Sequence, residues 1–179
     1  MINKTYLLAL LLLTQITISA QSPYSDPLAS TYSIVARDSI TGEMGIAVQS
    51  HAFSVGSIVG WGEAGIGVVA TQSFVNRAYG PDGLKLLKSG KLPAEVIKIL
   101  TASDSARDVR QVAVLDMQGR TASYTGKKCI QAAGNIAEKN FSVQANLMLN
   151  ETVCPAMVKA FKETHGPLAE RMIAALEAA

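Results

Sequence analysis

The chain has 179 residues, 49% of them apolar and 17% charged, a balance that suits one domain with a sizeable core and excludes a long disordered tail. With 16 Lys and Arg against 14 Asp and Glu, its formal charge of +2 at pH 7 and the absence of a Lys/Arg run argue against a nucleic-acid or anionic-membrane binder. At the N-terminus, Lys4, the apolar run Tyr6 to Leu13 and the small-residue ending Ile18-Ser19-Ala20 have the layout of a secretory signal peptide over 1–20, cleaved after Ala20. The run is short for a membrane span, although an uncleaved anchor helix is the alternative. No Cys stands immediately after the cleavage point, which argues against a lipid anchor. The expected mature protein is therefore exported, periplasmic or extracellular, with no membrane association after cleavage.

Residues 21–30 are polar and carry Pro23 and Pro27, so they read as a flexible leader or propeptide before a domain over 31–179. Tyr32 to Arg37 reads as a strand, 38–43 as a turn and Met44 to Ser50 as the return strand. The imperfect alternation of the first strand fits burial on both faces. A second hairpin is expected from Ser57 to Trp61 and from Ile66 to Thr71, around Gly62-Glu-Ala-Gly65. The dense glycines there suggest a bend or a close backbone approach, as a ligand groove or as tight sheet packing. Gly60, Gly62 and Gly65 spell G-x-G-x-x-G, but on a hairpin rather than a strand entering a helix, so they do not form a dinucleotide fingerprint.

The apolar period then changes. Pro81 suits the first turn of a short helix, with Leu84 and Leu87 on one face and Gly90 as its stop, and Pro93 opens a second carrying Val96, Ile97 and Leu100. Strands return at Arg110 to Leu115 and Thr121 to Tyr124, joined by 116–119, and again at Phe141 to Leu147. Two helices close the chain, with Val153, Met157 and Phe161 on one and Leu168, Met172 and Leu176 on the other, each stripe facing a core. The order strands, helices, strands, helices predicts an α+β domain with antiparallel sheets and helices on the faces.

Thr31, at the entry to the first strand, carries the chemical interest. A hydroxyl residue at a chain start can act as nucleophile while its own α-amine takes the proton. That amine titrates at about 7.7–8.0, so near neutral pH part of it is an unprotonated base. No His partner is then needed, which matters in a chain with only His51 and His165.

The stretches Thr-Tyr-Ser-Ile-Val-Ala-Arg-Asp (31–38), Thr-Gly-Glu-Met-Gly-Ile-Ala-Val (41–48) and Gly-Trp-Gly-Glu-Ala-Gly-Ile-Gly-Val-Val-Ala-Thr-Gln-Ser-Phe-Val-Asn (60–76) resemble domain-of-unknown-function family 1028. So do Tyr79-Gly80-Pro81, the segment from Thr125-Gly126 to Cys129, and Gln144 to Leu147. The likeness runs from Thr31 to the last helix. It implies an N-terminal-nucleophile hydrolase fold, a four-layer αββα sandwich, and an amide-cleaving activity inferred from that fold. Many relatives begin Met-Thr, so that removal of Met exposes the threonine matching Thr31. In this chain a leader precedes it, and exposure needs a cut at Ser30-Thr31. Longer relatives also continue past the final helix, so the sandwich is expected to be smaller here or the chain to be a fragment.

The reaction expected is cleavage of a C–N bond in a small amide or peptide-like substrate, with Thr31 as nucleophile and Asn146 as a side-chain oxyanion donor. Gln72 and Asn76, after the second hairpin, are candidates for lining the pocket, and Ser50 for orienting the nucleophile. Asn146, Gln72 and Asn76 are also readable as turn or strand-end residues that satisfy backbone groups, and Ser50 as a plain surface hydroxyl. Ser50 beside His51 invites a Ser-His reading, but sequence neighbours rarely have that geometry. Asp38 reads as a turn residue, and His165 as a helix C-terminal residue. Cys129 and Cys154 could bridge or stay as thiols, and neither has metal-ligand spacing. No cofactor or metal is called for, and a homo-oligomer is left open. The rival expectation is a non-catalytic exported binding protein on the same scaffold.

Overall fold

The computed structural model describes residues 30–179. The expected signal peptide and all of the leader except Ser30 lie outside the described residues. In chain order the elements are β1 (Thr31–Arg37), β2 (Met44–Ser50), α1 (Gly56–Val59), β3 (Gly60–Glu63), β4 (Gly67–Ser73), α2 (Tyr79–Lys88) and α3 (Pro93–Ala102). A 3-10 turn (Arg107–Val109) then leads to β5 (Arg110–Asp116), β6 (Thr121–Thr125), β7 (Gly134–Glu138), β8 (Phe141–Asn146), α4 (Val153–Glu163) and α5 (Leu168–Glu177). The strands form two four-stranded sheets, ordered β2-β1-β8-β7 and β3-β4-β5-β6. Every neighbouring pair is antiparallel. This is the α+β domain with antiparallel sheets that the strand and helix pattern predicts.

Side chains alternate across a strand, and that alternation sorts the core into three layers. Ile34, Ala36, Phe141 and Val143 point outward from the first sheet onto Met157 and Phe161 of α4 and Leu168 and Met172 of α5. Val69, Val112 and Val114 point outward from the second sheet onto Leu84 and Leu87 of α2 and Val96 and Leu100 of α3. The inward residues Val35, Val68, Ala70, Ala113 and Leu115 meet between the sheets. The order through the molecule is helix pair, sheet, sheet, helix pair.

Several boundaries differ from the sequence expectation for physical reasons. Residues 56–59 form a helical turn, not the start of a strand. Val55, Ile58 and Val59, spaced i, i+3, i+4, close over one end of the inter-sheet layer. The strand β7 has little apolar signal of its own, since Ile136 and Ala137 are its apolar residues; it exists by pairing with β8, Ile136 against Val143. The helix α2 begins at Tyr79, which puts Pro81 in its first turn as expected, and it packs so closely on β3 that a Cβ at Gly80 would collide with the Trp61 ring. Of the dense glycines before it, Gly67 makes the expected close approach, since a Cβ there would collide with the Leu115 carbonyl and Leu87. The final strand stops at Asn146, because Leu147 turns into the left-handed region at φ +58°. Cys129 and Cys154 are both free thiols, so no bridge forms.

Candidate active site

Thr31 is the first residue of β1, a central strand of its sheet, and two cross-strand neighbours flank it: Ser50 on β2 and Asn146 on β8. Its side chain is 8% exposed. Thr31 Oγ1 lies 2.8 Å from Ser50 Oγ. Ser50 Oγ also accepts the Ala52 N–H at 3.0 Å, which leaves the Ser50 hydrogen available to orient the threonine oxygen.

Two amides converge on the Thr31 carbonyl, Gln72 Nε2 at 3.4 Å and Asn146 Nδ2 at 3.5 Å. Both donate more strongly to a single acceptor, Gln111 Oε1, at 3.0 Å and 2.9 Å. A flip of either amide would set carbonyl oxygen against carbonyl oxygen, so Gln111 fixes the direction of both. Gln111 is itself held from the other end, where its Nε2 reaches Thr125 Oγ1, Gly134 O and Ala145 O at 2.9–3.1 Å. Ser33 extends the network by donating to Gln72 Oε1 at 2.7 Å and accepting from Gln144 Nε2 at 3.3 Å. With its NH2 turned toward Gln111, Asn146 keeps a buried carbonyl oxygen that has no hydrogen-bond partner among the described residues.

Thr31, Gln72, Ser73 and Asn146 border a cavity of about 390 Å³, within the usual range for small-molecule sites. Its other walls include Val55, Ile58, Val59, Phe74, Ile130 and Leu147, and none of the described lining residues is charged. Two strand ends at the rim, Ser73 and Leu147, have left-handed backbones at φ +66° and +58°, a conformation that costs of order 1–3 kcal/mol outside glycine. Leu147 is held there by its N–H on Ile130 O at 3.2 Å and by Ser30 Oγ on its carbonyl at 2.8 Å.

The structure thus brings together four of the five residues singled out in the sequence: Thr31, Ser50, Gln72 and Asn146. Asn76 goes elsewhere. Its Nδ2 donates to Asp104 Oδ2 at 3.1 Å, and the same oxygen accepts Tyr79 OH at 2.9 Å and Arg110 Nε at 3.0 Å. Burial opposes ionisation of Asp104, yet the Arg110 guanidinium and the Ala106, Asn76 and Tyr79 donors hold its carboxyl well below the usual range. Arg110 Nη1 also donates to Phe74 O at 2.6 Å. Asn76 therefore belongs to a cluster that pins the loop bordering the cavity and is not one of the cavity's lining residues.

The remaining candidates sort as follows. His51 is exposed at the end of β2, and the Ser50 hydroxyl is engaged with Thr31 and Ala52. Asp38 lies at the far end of β1, where Oδ1 accepts the Thr41 and Ile40 amides at 2.9 and 2.8 Å; those two bonds lower its pKa, as a turn residue should. A separate cavity of about 320 Å³ lies between β7 and α4 and contains Cys154. Burial pushes that thiol up to about 11, so it is a poor nucleophile at neutral pH. Among the described residues, no group of three or more His, Cys, Asp and Glu could hold a metal ion, and no helix is long and apolar enough to cross a membrane.

Sequence reasoning did not find Gln111, Gln144 and Ser33. A signal existed in β8, where Ser142, Gln144 and Asn146 alternate with Phe141, Val143 and Ala145. Such alternation ordinarily marks a solvated face. Here the polar face is covered by a second sheet.

Comparison with known proteins places the chain in a family. Residues 31–179 match the model of a family of unknown function, DUF1028. The crystal structure of protein SPO2555 from Silicibacter pomeroyi, also a DUF1028 protein, superposes with a TM-score of 0.81 at 30% sequence identity, over 83% of this chain and 69% of that one. No curated protein matches the chain. The chain belongs to the DUF1028 family.

Proposed function

We propose that this DUF1028 protein is an exported hydrolase of the N-terminal-nucleophile type, cleaving a C–N bond in a small amide or peptide-like molecule. The observation that carries this reading is the placement of the Thr31 hydroxyl, 2.8 Å from Ser50 Oγ and beside a cavity bordered by two side-chain amides. The layer order helix, sheet, sheet, helix supports it as the sandwich such hydrolases use.

Activation requires hydrolysis of the Ser30–Thr31 bond, which gives Thr31 an α-amine. Thr31 Oγ1 then attacks the substrate carbonyl carbon while its proton passes to that amine. The oxyanion of the tetrahedral adduct is stabilised by backbone N–H groups and by Asn146, whose 3.5 Å contact to the Thr31 carbonyl is long enough to exchange for a better acceptor. Collapse breaks the C–N bond, and the proton held by the amine goes to the leaving nitrogen. Water, deprotonated by the same amine, then hydrolyses the threonine ester and releases the carboxylic acid. Ser50 orients the nucleophile, and no step calls for a cofactor.

A second reading, a non-catalytic binding protein on the same scaffold, is favoured by the way Ser30 is seated. Its Oγ donates to Leu147 O at 2.8 Å and its carbonyl accepts the His51 N–H at 3.4 Å, contacts that suit an uncut bond. Intact mass and N-terminal sequencing of the protein from its native compartment separate the two. The hydrolase starts at Thr31, and Thr31→Ala abolishes release of p-nitroaniline from acyl p-nitroanilides. A Thr31→Ala protein with full activity sinks the mechanism, whereas a start at Gln21 with no turnover favours the binding protein.

A further inference from the structure

The cavity beside Thr31 has a chemical character that says what fits in it. Its walls are built by side chains from separate segments: Val55, Ile58 and Val59 around α1, Phe74 after β4, Ile130 before β7 and Leu147 after β8. All are hydrocarbon or aromatic, and no described lining residue is charged. A charged ligand group would lose its hydration there without a counter-ion, whereas an apolar group gains by leaving water.

The polar side is equally specific. Gln72 and Asn146 are each 1% exposed or less. Gln111 Oε1 sets the orientation of both amide nitrogens, whose second contacts, to the Thr31 carbonyl at 3.4 and 3.5 Å, are long enough to yield to a better acceptor, while Asn146 Oδ1 is buried and lacks a hydrogen-bond partner among the described residues. A buried acceptor left in that state is costly, and a ligand N–H that reached it would remove the cost. Donors and an unsatisfied acceptor side by side complement a carboxamide, which has both a carbonyl oxygen and an N–H. A carboxylate offers no hydrogen to Asn146 Oδ1, and an ammonium offers no acceptor to the amide nitrogens.

We infer that this cavity binds uncharged carboxamides carrying an apolar substituent, with the substituent against Ile58, Phe74 and Ile130 and the amide N–H donating to Asn146 Oδ1. For turnover this rests on the hydrolase reading, whose substrate class it names as apolar N-acyl or primary amides. For binding it stands apart from that reading.

The test is calorimetric titration of the full mature chain bearing Thr31→Ala, which cannot turn the probes over by the proposed route, with heptanamide, acetamide, heptanoate and heptylammonium. Burial of a methylene is worth roughly fourfold in affinity, so burying even two of the five extra methylenes of heptanamide places it more than tenfold above acetamide. Heptanamide is also expected to exceed heptanoate and heptylammonium at least tenfold. Phe74→Ala, at a half-exposed rim position that the fold tolerates, narrows the gap between heptanamide and acetamide. Ile58→Asp in the wall shifts preference toward heptylammonium.

Equal affinities for acetamide and heptanamide, a charged probe that matches heptanamide, or no heptanamide binding at millimolar concentration would each overturn the assignment. If the wild-type protein then still hydrolyses short polar amides in a Thr31-dependent manner, the hydrolase reading survives and the apolar-amide assignment alone fails. If the probe ranking holds while Thr31→Ala leaves hydrolysis intact, the nucleophile assignment fails and the cavity assignment stands.

Discussion

Between the two sheets, Val35, Val68, Ala70, Ala113 and Leu115 pack as hydrocarbon toward one end of the strands, whereas Thr31, Ser33, Gln72, Gln111, Gln144 and Asn146 fill the other end with hydrogen-bonded amides and hydroxyls. The same strands supply both halves: β1 runs from Thr31 through Ser33 to Val35, and β5 from Gln111 through Ala113 to Leu115. Both halves are buried but differ in what they tolerate. The apolar half is stabilised by transfer from water and asks only for volume. The polar half has specific direction, because every amide that loses its partner keeps its desolvation cost. Its members border the cavity, so the restrictive half is the one that positions chemistry.

The largest expected effect comes from removing the shared acceptor. Gln111→Leu keeps most of the volume but leaves the NH2 groups of Gln72 and Asn146 with only their long contacts to the Thr31 carbonyl and takes a side-chain donor from the Gly134 and Ala145 carbonyls. At about 1–3 kcal/mol for each stranded group, two such groups already cost about 4 kcal/mol. Urea unfolding should show that loss, and any amide hydrolysis should fall as well, since both amides lose the contact that sets their direction. A Leu variant of native stability would mean that the network relaxes, and the contrast between halves would collapse.

On the apolar side, Leu115→Ala empties a fully buried site and should cost about 3 kcal/mol, within the range for buried leucines. Because it breaks no hydrogen bond, it should leave the affinity for heptanamide unchanged. A stability loss accompanied by a binding loss would show that the two halves are coupled through the sheets.

These contrasts also mark what could be read in the chain beforehand. The β1–β2 hairpin was legible because Asp38 and Gly42 have local jobs: the carboxylate accepts amides two and three residues on, and the glycine turns at φ +76°. The helices α4 and α5 were legible because Met157 and Phe161 on the first, and Leu168 and Met172 on the second, repeat at helical spacing. Thr31, Ser50, Gln72 and Asn146 were found as strand-end residues, and antiparallel pairing brings strand ends together. Gln111 was not found, since its partners Gln72 and Asn146 are 39 and 35 residues away and nothing local marks them. Asn76 was misplaced for a like reason, its amide being captured by Asp104, 28 residues on. The edge strand β7 escaped because its reason to exist is the β8 ladder rather than its own composition.

A third way of holding a buried polar group adjoins the polar half. Arg110, one residue before Gln111, pairs with Asp104 at 3.0 Å, with side-chain exposures of 18% and 10%. The folded pKa of Asp104 lies below the ordinary carboxyl value of 3.8, so its contribution to stability is fully present above that value. The contribution is lost as pH falls through the lowered folded pKa, because the unfolded chain takes up the proton first. Urea midpoints should therefore drop more steeply below about pH 4 in the wild-type protein than in Asp104→Asn, which has no proton to bind. Parallel curves would mean that the Arg110, Tyr79 and Asn76 contacts do not favour the carboxylate.

The smallest effect is the sharpest comparison, since one substitution at two places in the same layer should differ in sign. Ser33 and Ser142 are both fully buried and both face the other sheet. Ser33 Oγ donates to Gln72 Oε1 and accepts from Gln144 Nε2, so Ser33→Ala strands the Gln72 oxygen, leaves Gln144 Nε2 only its bond to Ala70 O, and should cost about 2 kcal/mol. Ser142 sits opposite Val35, where the layer turns apolar, and its Oγ has no hydrogen-bond partner among the described residues. Removing that hydroxyl takes away a desolvation cost and no bond, so Ser142→Ala should be neutral or stabilising by up to about 1 kcal/mol. If differential unfolding instead gives Ser142→Ala the same loss as Ser33→Ala, a hydrogen-bond partner for Ser142 exists in solution. The boundary between the polar and apolar halves would then lie deeper along β8 than Gln144.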